Sequence, residues 1–73
     1  MADPAWQSQF RQGLSAHRAQ ALAEAEAHYL QALAVEKNRP EIFYNLGLLY
    51  LAQQKMAAAA DQFAAVLRLD AQN

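Results

Sequence analysis

The chain has 73 residues, with six Lys+Arg against seven Asp+Glu, a net charge of −1, and no cysteine. A chain of that length buries only about 60% of its unfolded surface, and here neither a disulfide nor a cysteine-ligated metal can add to a small core. The near-neutral balance gives no electrostatic ground for a nucleic-acid or anionic-membrane partner. The opening MADPAWQSQF lacks the basic start and apolar centre of a secretory signal, and no stretch nears the roughly 20 apolar residues of a spanning helix. The chain as given reads as soluble, and the absence of cysteine suits a reducing, cytoplasmic setting.

Two glycines, two prolines and no strand-like alternation predict an all-helical chain with short turns. Asp3-Pro4 reads as an N-cap followed by proline in the first turn, where its missing N–H costs nothing. Trp6, Phe10, Gly13, Leu14 and His17 then fall on one face of a first helix. A turn is expected near Arg18 to Ala21. Leu22, Ala25, Tyr29, Ala32 and Leu33 make the face of a second helix. Asn38-Arg39-Pro40-Glu41 repeats the capping punctuation and starts a third, whose stripe is Phe43, Leu46, Gly47 and Tyr50. After a turn at Gln53 to Lys55, Met56, Ala59, Ala60, Phe63, Val66 and Leu67 mark a fourth. Four helices with tight turns give two αα-hairpins.

The hairpins repeat one another. A shift of 34 residues superposes Gly13 on Gly47, Leu14 on Leu48, Leu22 on Met56 and Ala25 on Ala59. The same shift places Tyr29 on Phe63, Leu33 on Leu67 and Val35 on Leu69. Small falls on small and aromatic on aromatic, which a generic four-helix bundle does not explain.

A 34-residue helix–turn–helix unit resembles the tetratricopeptide repeat. Pro40 to Asn73 carries the large–small pattern of that family in Phe43, Leu46, Gly47, Tyr50, Ala59 and Phe63, with the LRLDAQN ending. Trp6 to Arg39 resembles a preceding unit through Gly13, Ala25, Tyr29, Ala32 and Leu33. The resemblance implies a single domain over residues 1–73, with repeats at about 6–39 and about 40–73, in the form of a fragment of an α-α superhelix. Departures are specific. Gln20 and Gln54 stand where the family has glycine between paired helices, Val66 replaces an alanine, and Lys37 and Ala71 replace a closing proline. Gln9, Gln12 and Ala16 fall where the second unit has Phe43, Leu46 and Tyr50, so the first helix is expected to pack differently, with Trp6 and Phe10 turned inward.

Chemistry finds little footing. Serine occurs at Ser8 and Ser15 and histidine at His17 and His28, on different predicted helices, with no clustered acid–base or ligand set around them. Glu24 and Glu26 are two apart on a helix and point apart. No enzyme activity, cofactor or metal is expected.

Binding is better supported. In the family the first helices of successive repeats line a concave groove for peptides, and the matching positions here are Gln7, Phe10, Arg11, Leu14, His17 and Arg18, then Glu41, Tyr44, Asn45, Leu48, Leu51 and Ala52. On a helical wheel Tyr44, Leu48 and Leu51 form a stripe apart from Phe43, Leu46, Gly47 and Tyr50, so the third helix is apolar nearly all round. Phe10, Leu14, Tyr44, Leu48 and Leu51 should be an exposed apolar patch of the kind that marks interaction sites. Members that clamp the acidic tails of heat-shock chaperones use lysine and asparagine where Phe10 and Leu14 stand here, so that clamp is not expected. Asn45 matches a groove asparagine that some members use on a peptide backbone, but its counterpart is Arg11. The resemblance thus implies an apolar or amphipathic protein segment as partner, with Arg11 and Arg18 offering a rim for an acidic group. Arrays of this kind need about three repeats, so the chain is expected to be a piece of a longer repeat or multidomain protein. The alternatives are a self-assembling scaffold whose apolar face is a homo-oligomer or helix-swapped interface, and a non-catalytic extension of an enzyme such as a transferase.

Overall fold

The computed structural model describes residues 4–71. They form four α-helices and no strand: α1 (Ala5–Arg18), α2 (Leu22–Val35), α3 (Pro40–Ala52) and α4 (Met56–Ala71). The chain divides into two compact units between Lys37 and Asn38. Within the first, α1 pairs with α2; within the second, α3 pairs with α4.

In the first unit Ala25, Tyr29 and Ala32 are fully buried on α2, opposite Trp6 and Gly13 of α1. The expected inward turn of Trp6 and Phe10 is found. The Phe10 ring lies 6.0 Å from Trp6 and 5.8 Å from Tyr29, so three rings from two helices form one tilted cluster. Leu22 and Leu33 are only half-buried.

In the second unit Ile42, Leu46 and Leu49 are fully buried, with Gly47 and Tyr50, on α3, and Ala59 and Ala65 are buried on α4. Ile42, Leu49 and Ala65 lie off the stripes read from the sequence. On α3 the cause is plain: Ile42, Leu46 and Leu49 make a second apolar row interleaved with Phe43, Leu46 and Tyr50. On α4 two expected core residues point outward instead, Met56 at 59% and Leu67 at 69% exposure, and Ala60 is exposed with them. A helix so rich in alanine does not define its buried side from sequence, because alanine fits either environment.

The two glycines act through what faces them. A β-carbon on Gly13 would lie 2.5 Å from Cδ1 and Cε1 of Tyr29, and one on Gly47 would lie 2.5 Å from Cε1 of Phe63. Each ring therefore sits directly on the backbone of the opposing helix. Ala25 and Ala59, the small residues of the repeat pattern on the same helices as these rings, are buried as well.

Helix ends follow local chemistry. Pro40 occupies the first turn of α3, with Arg39 extended before it, as its fixed φ favours. Pro4 sits one position earlier than expected, at the N-cap of α1, where its carbonyl accepts from Gln7 and Ser8; Asp3 lies outside the described residues. Both hairpin turns are the same structure. Gln20 and Gln54 adopt φ of 65° and 62°. The N–H of Gln20 bonds the His17 carbonyl and that of Ala21 the Ala16 carbonyl, at 3.0 and 2.9 Å. The N–H groups of Gln54 and Lys55 bond Leu51 and Tyr50 at 2.9 and 2.8 Å in the same way. This is the Schellman arrangement, which closes the orphan carbonyls of a helix end and normally takes glycine at the left-handed position.

Gln20→Gly and Gln54→Gly each remove a left-handed penalty of about 1–2 kcal/mol and add back about 0.5–1 kcal/mol of unfolded-chain entropy. Each should raise stability by about 0.5–1 kcal/mol in urea melts followed by circular dichroism, whereas Gln→Ala at either site should give no gain. Gly13→Ala should be the more damaging of the two glycine replacements. The added carbon would meet either ring at 2.5 Å, but Tyr29 is fully buried and has nowhere to move, whereas Phe63 is half-exposed and can swing aside. Overpacking of about 1–3 kcal/mol then exceeds the roughly 1 kcal/mol gained in helix propensity at Gly13, while at Gly47 the two come close to cancelling. Equal losses at both sites in the same melts would contradict that account.

Candidate partner-binding surface

The outward row of α3 is built from residues that its buried rows do not use. Tyr44, Leu48 and Leu51 recur at i, i+4 and i+7 and are 50%, 37% and 41% exposed. The Tyr44 ring leans on α4, its centroid 6.0 Å from that of Phe63, so its base is held while its edge faces solvent. The same Phe63 ring covers Gly47, and the packing of the hairpin and the pose of Tyr44 are thereby joined.

Polar groups around this row are partly spent. Asn45 donates from Nδ2 to the Glu41 carbonyl at 2.8 Å, a bond back onto its own helix. Glu41 is exposed in the first turn, where its negative charge suits the helix dipole. At the other end Lys55 Nζ stands 5.8 Å from the centre of the Tyr50 ring, within range of a cation–π contact.

On α1 the expected site residues separate into two groups. Arg11 and Arg18 are exposed, two turns apart. Phe10, Leu14 and His17 are half-buried, and Phe10 and His17 turn part of their surface to the hairpin rather than to solvent. His17 Nδ1 lies 3.3 Å from the Tyr29 hydroxyl, which donates to it when that nitrogen is unprotonated, and the two rings meet edge-on at 6.2 Å. His28 donates from Nδ1 to Gln9 Oε1 at 2.9 Å. Both histidines thus stitch α1 to α2. The Gln9–His28 pair occupies a place where the second unit uses Phe43, and nothing in the sequence marks it, because the partners are nineteen residues apart and meet only once the hairpin closes. Among the described residues no three His, Cys, Asp or Glu side chains gather as metal ligands, and no helix is long and apolar enough to cross a membrane.

A family model described as a TPR repeat matches residues 13–54, more than half of the chain. The chain belongs to the tetratricopeptide repeat family. The matched segment opens at the glycine under Tyr29 and closes at the left-handed Gln54, so it takes in the departures from the family pattern at Gln20, Lys37 and Gln54 itself. No curated protein and no solved structure matches the chain significantly. Tetratricopeptide repeats are typically non-catalytic modules that bind other proteins, and membership of the family points to a protein-interaction role.

Burial pushes the Tyr29 phenol above its ordinary value of 10.0, with the Arg18 charge pulling the other way. The folded repeat therefore holds that proton at a pH where the unfolded chain has lost it. The stability linked to Tyr29 is complete below pH about 10 and drains away as pH climbs through the higher folded value. In urea melts between about pH 9 and 11.5, wild type should lose stability more steeply than Tyr29→Phe, whose baseline at neutral pH should differ by no more than about 1 kcal/mol for the long His17 bond.

Proposed function

We propose that this tetratricopeptide repeat chain binds an apolar or amphipathic segment of a partner protein through the first helix of each repeat. The observation that carries the reading is the row Tyr44, Leu48 and Leu51. Large apolar side chains at successive turns of one helix, exposed while other rows of that helix are packed, are what a docking partner would cover. Leu14, Phe10, Arg11, His17 and Arg18 on α1, and Glu41 and Asn45 on α3, complete the proposed contact set. Tyr44 is the natural anchor: an aromatic braced at its base and open at its edge has little rotamer freedom left to lose on binding.

The self-bonding of Asn45 favours a particular kind of partner. An extended peptide needs main-chain hydrogen bonds from its site, and one of the two N–H donors of the Asn45 amide is already used on the Glu41 carbonyl. A helical segment satisfies its own backbone and asks only for apolar contact, with Glu41 placed to meet a basic residue and Arg18 an acidic one.

Peptides selected from a random display library on the immobilised chain supply a probe. Tyr44→Ala and Leu48→Ala combined should weaken the selected peptides at least about tenfold while the circular dichroism spectrum holds. Unchanged affinity with intact helices would remove α3 from the site.

A further inference from the structure

The outward face of α4 is a different surface from the one proposed above, and its layout is specific. At 100° per residue, Ala64 lies at the centre of the exposed arc. Ala71, Ala60, Leu67 and Met56 fan out to one side of it, and Ala57, Arg68 and Asp61 to the other; all eight are exposed. One flank is therefore apolar, with Leu67 at 69% and Met56 at 59% exposure, and the other carries one charge of each sign. Among the described residues neither Asp61 nor Arg68 forms an ion pair within the chain.

From this arrangement we propose that α4 pairs with α4 of a second copy, antiparallel, about a two-fold axis at Ala64. A two-fold contact requires a patch that complements itself. An antiparallel two-fold keeps like flanks together and reverses their order along the helix. Asp61 lies three residues before Ala64 and Arg68 four after, so on the charged flank Asp61 comes level with the partner copy's Arg68 to within roughly 1.5 Å of helix rise. The same inversion sets Leu67 beside the partner copy's Ala60, a large side chain against a small one, and leaves Ala64 on the axis where the backbones come closest. A parallel two-fold pair would instead set the charged flank of each helix beside the apolar flank of the other and leave Asp61 and Arg68 unmatched, so the charges select the antiparallel form.

The repeat itself does not supply this pattern. Moved back by 34 residues, Asp61 and Arg68 fall on Ala27 and Ala34, and the equivalent face of α2 has no such charge pair. The complementary charges belong to α4 alone. One helix face is smaller than a standard interface of about 800 Å² per partner, so the dimer is a weak one that forms in the micromolar range.

Sedimentation equilibrium of the 73-residue chain from micromolar to submillimolar concentration tests the pairing. Wild type should approach twice the monomer mass as concentration rises. Asp61→Arg and Arg68→Asp should each weaken association at least about tenfold by setting like charges opposite one another. The double reversal Asp61→Arg/Arg68→Asp should restore it to near wild type. All three variants change exposed positions, and unaltered circular dichroism shows that α4 is intact. A wild-type chain that stays monomeric throughout overturns the proposal, as does a double variant no tighter than the singles.

Discussion

Each hairpin depends on one contact, an aromatic ring packed directly against a glycine of the paired helix. Tyr29 covers Gly13 and Phe63 covers Gly47 with too little space for even a methyl group between. A ring placed there fixes three things together: how closely the helices approach, how they are rotated about their own axes, and which of their neighbours lie inward. Because protein interiors are close-packed, a side chain that fits only one way sets the register of everything around it. The trimmed size of the glycine and the size of the ring are one requirement, and neither residue can be understood without the other.

Around that shared contact the two units solve packing differently. The second uses aliphatic rows, with Ile42, Leu46 and Leu49 fully buried. The first lacks large apolar groups at several equivalent places and ties its helices with side-chain hydrogen bonds, His28 to Gln9 and His17 to Tyr29, over a tilted cluster of Trp6, Phe10 and Tyr29. A neutral hydrogen bond contributes about 1 kcal/mol net, less than the burial of a leucine-sized side chain. The aromatic cluster therefore supplies most of what holds α1 in place, and the polar pairs chiefly choose its rotation. Tyr29 takes part in both, through its ring and its hydroxyl, which makes it the residue on which the first unit most depends.

Helix number, both turns and the repeat were all legible in the sequence, because they rest on features that recur at fixed spacing: Gly13 and Gly47, Tyr29 and Phe63, Pro40 at a helix start. The exposed row of α3 was legible for the same reason, since Tyr44, Leu48 and Leu51 share a face of their own. What escaped was of two kinds. Alanine carries too little preference to orient α4, and so Met56 and Leu67 were placed inward and Ala65 was overlooked. Side-chain contacts, whether across nineteen residues as in Gln9 with His28 or within one helical turn as in Asn45 turning back to Glu41, depend on rotamers and on helix rotation that a one-dimensional pattern does not encode. Phe10 illustrates the boundary: its inward lean could be expected from the missing bulk at Gln9, Gln12 and Ala16, but not its position between Trp6 and Tyr29.

The separation of each glycine from its ring has a kinetic meaning. Gly13 and Tyr29, and likewise Gly47 and Phe63, are sixteen residues apart, so the decisive contact of each hairpin forms by closing one short loop. Chains whose contacts are that local fold in microseconds to milliseconds. A segment that carries its own closing contact in so little sequence can begin to fold before the rest of the chain has been synthesised. It can also be copied in tandem without waiting for distant residues to change with it.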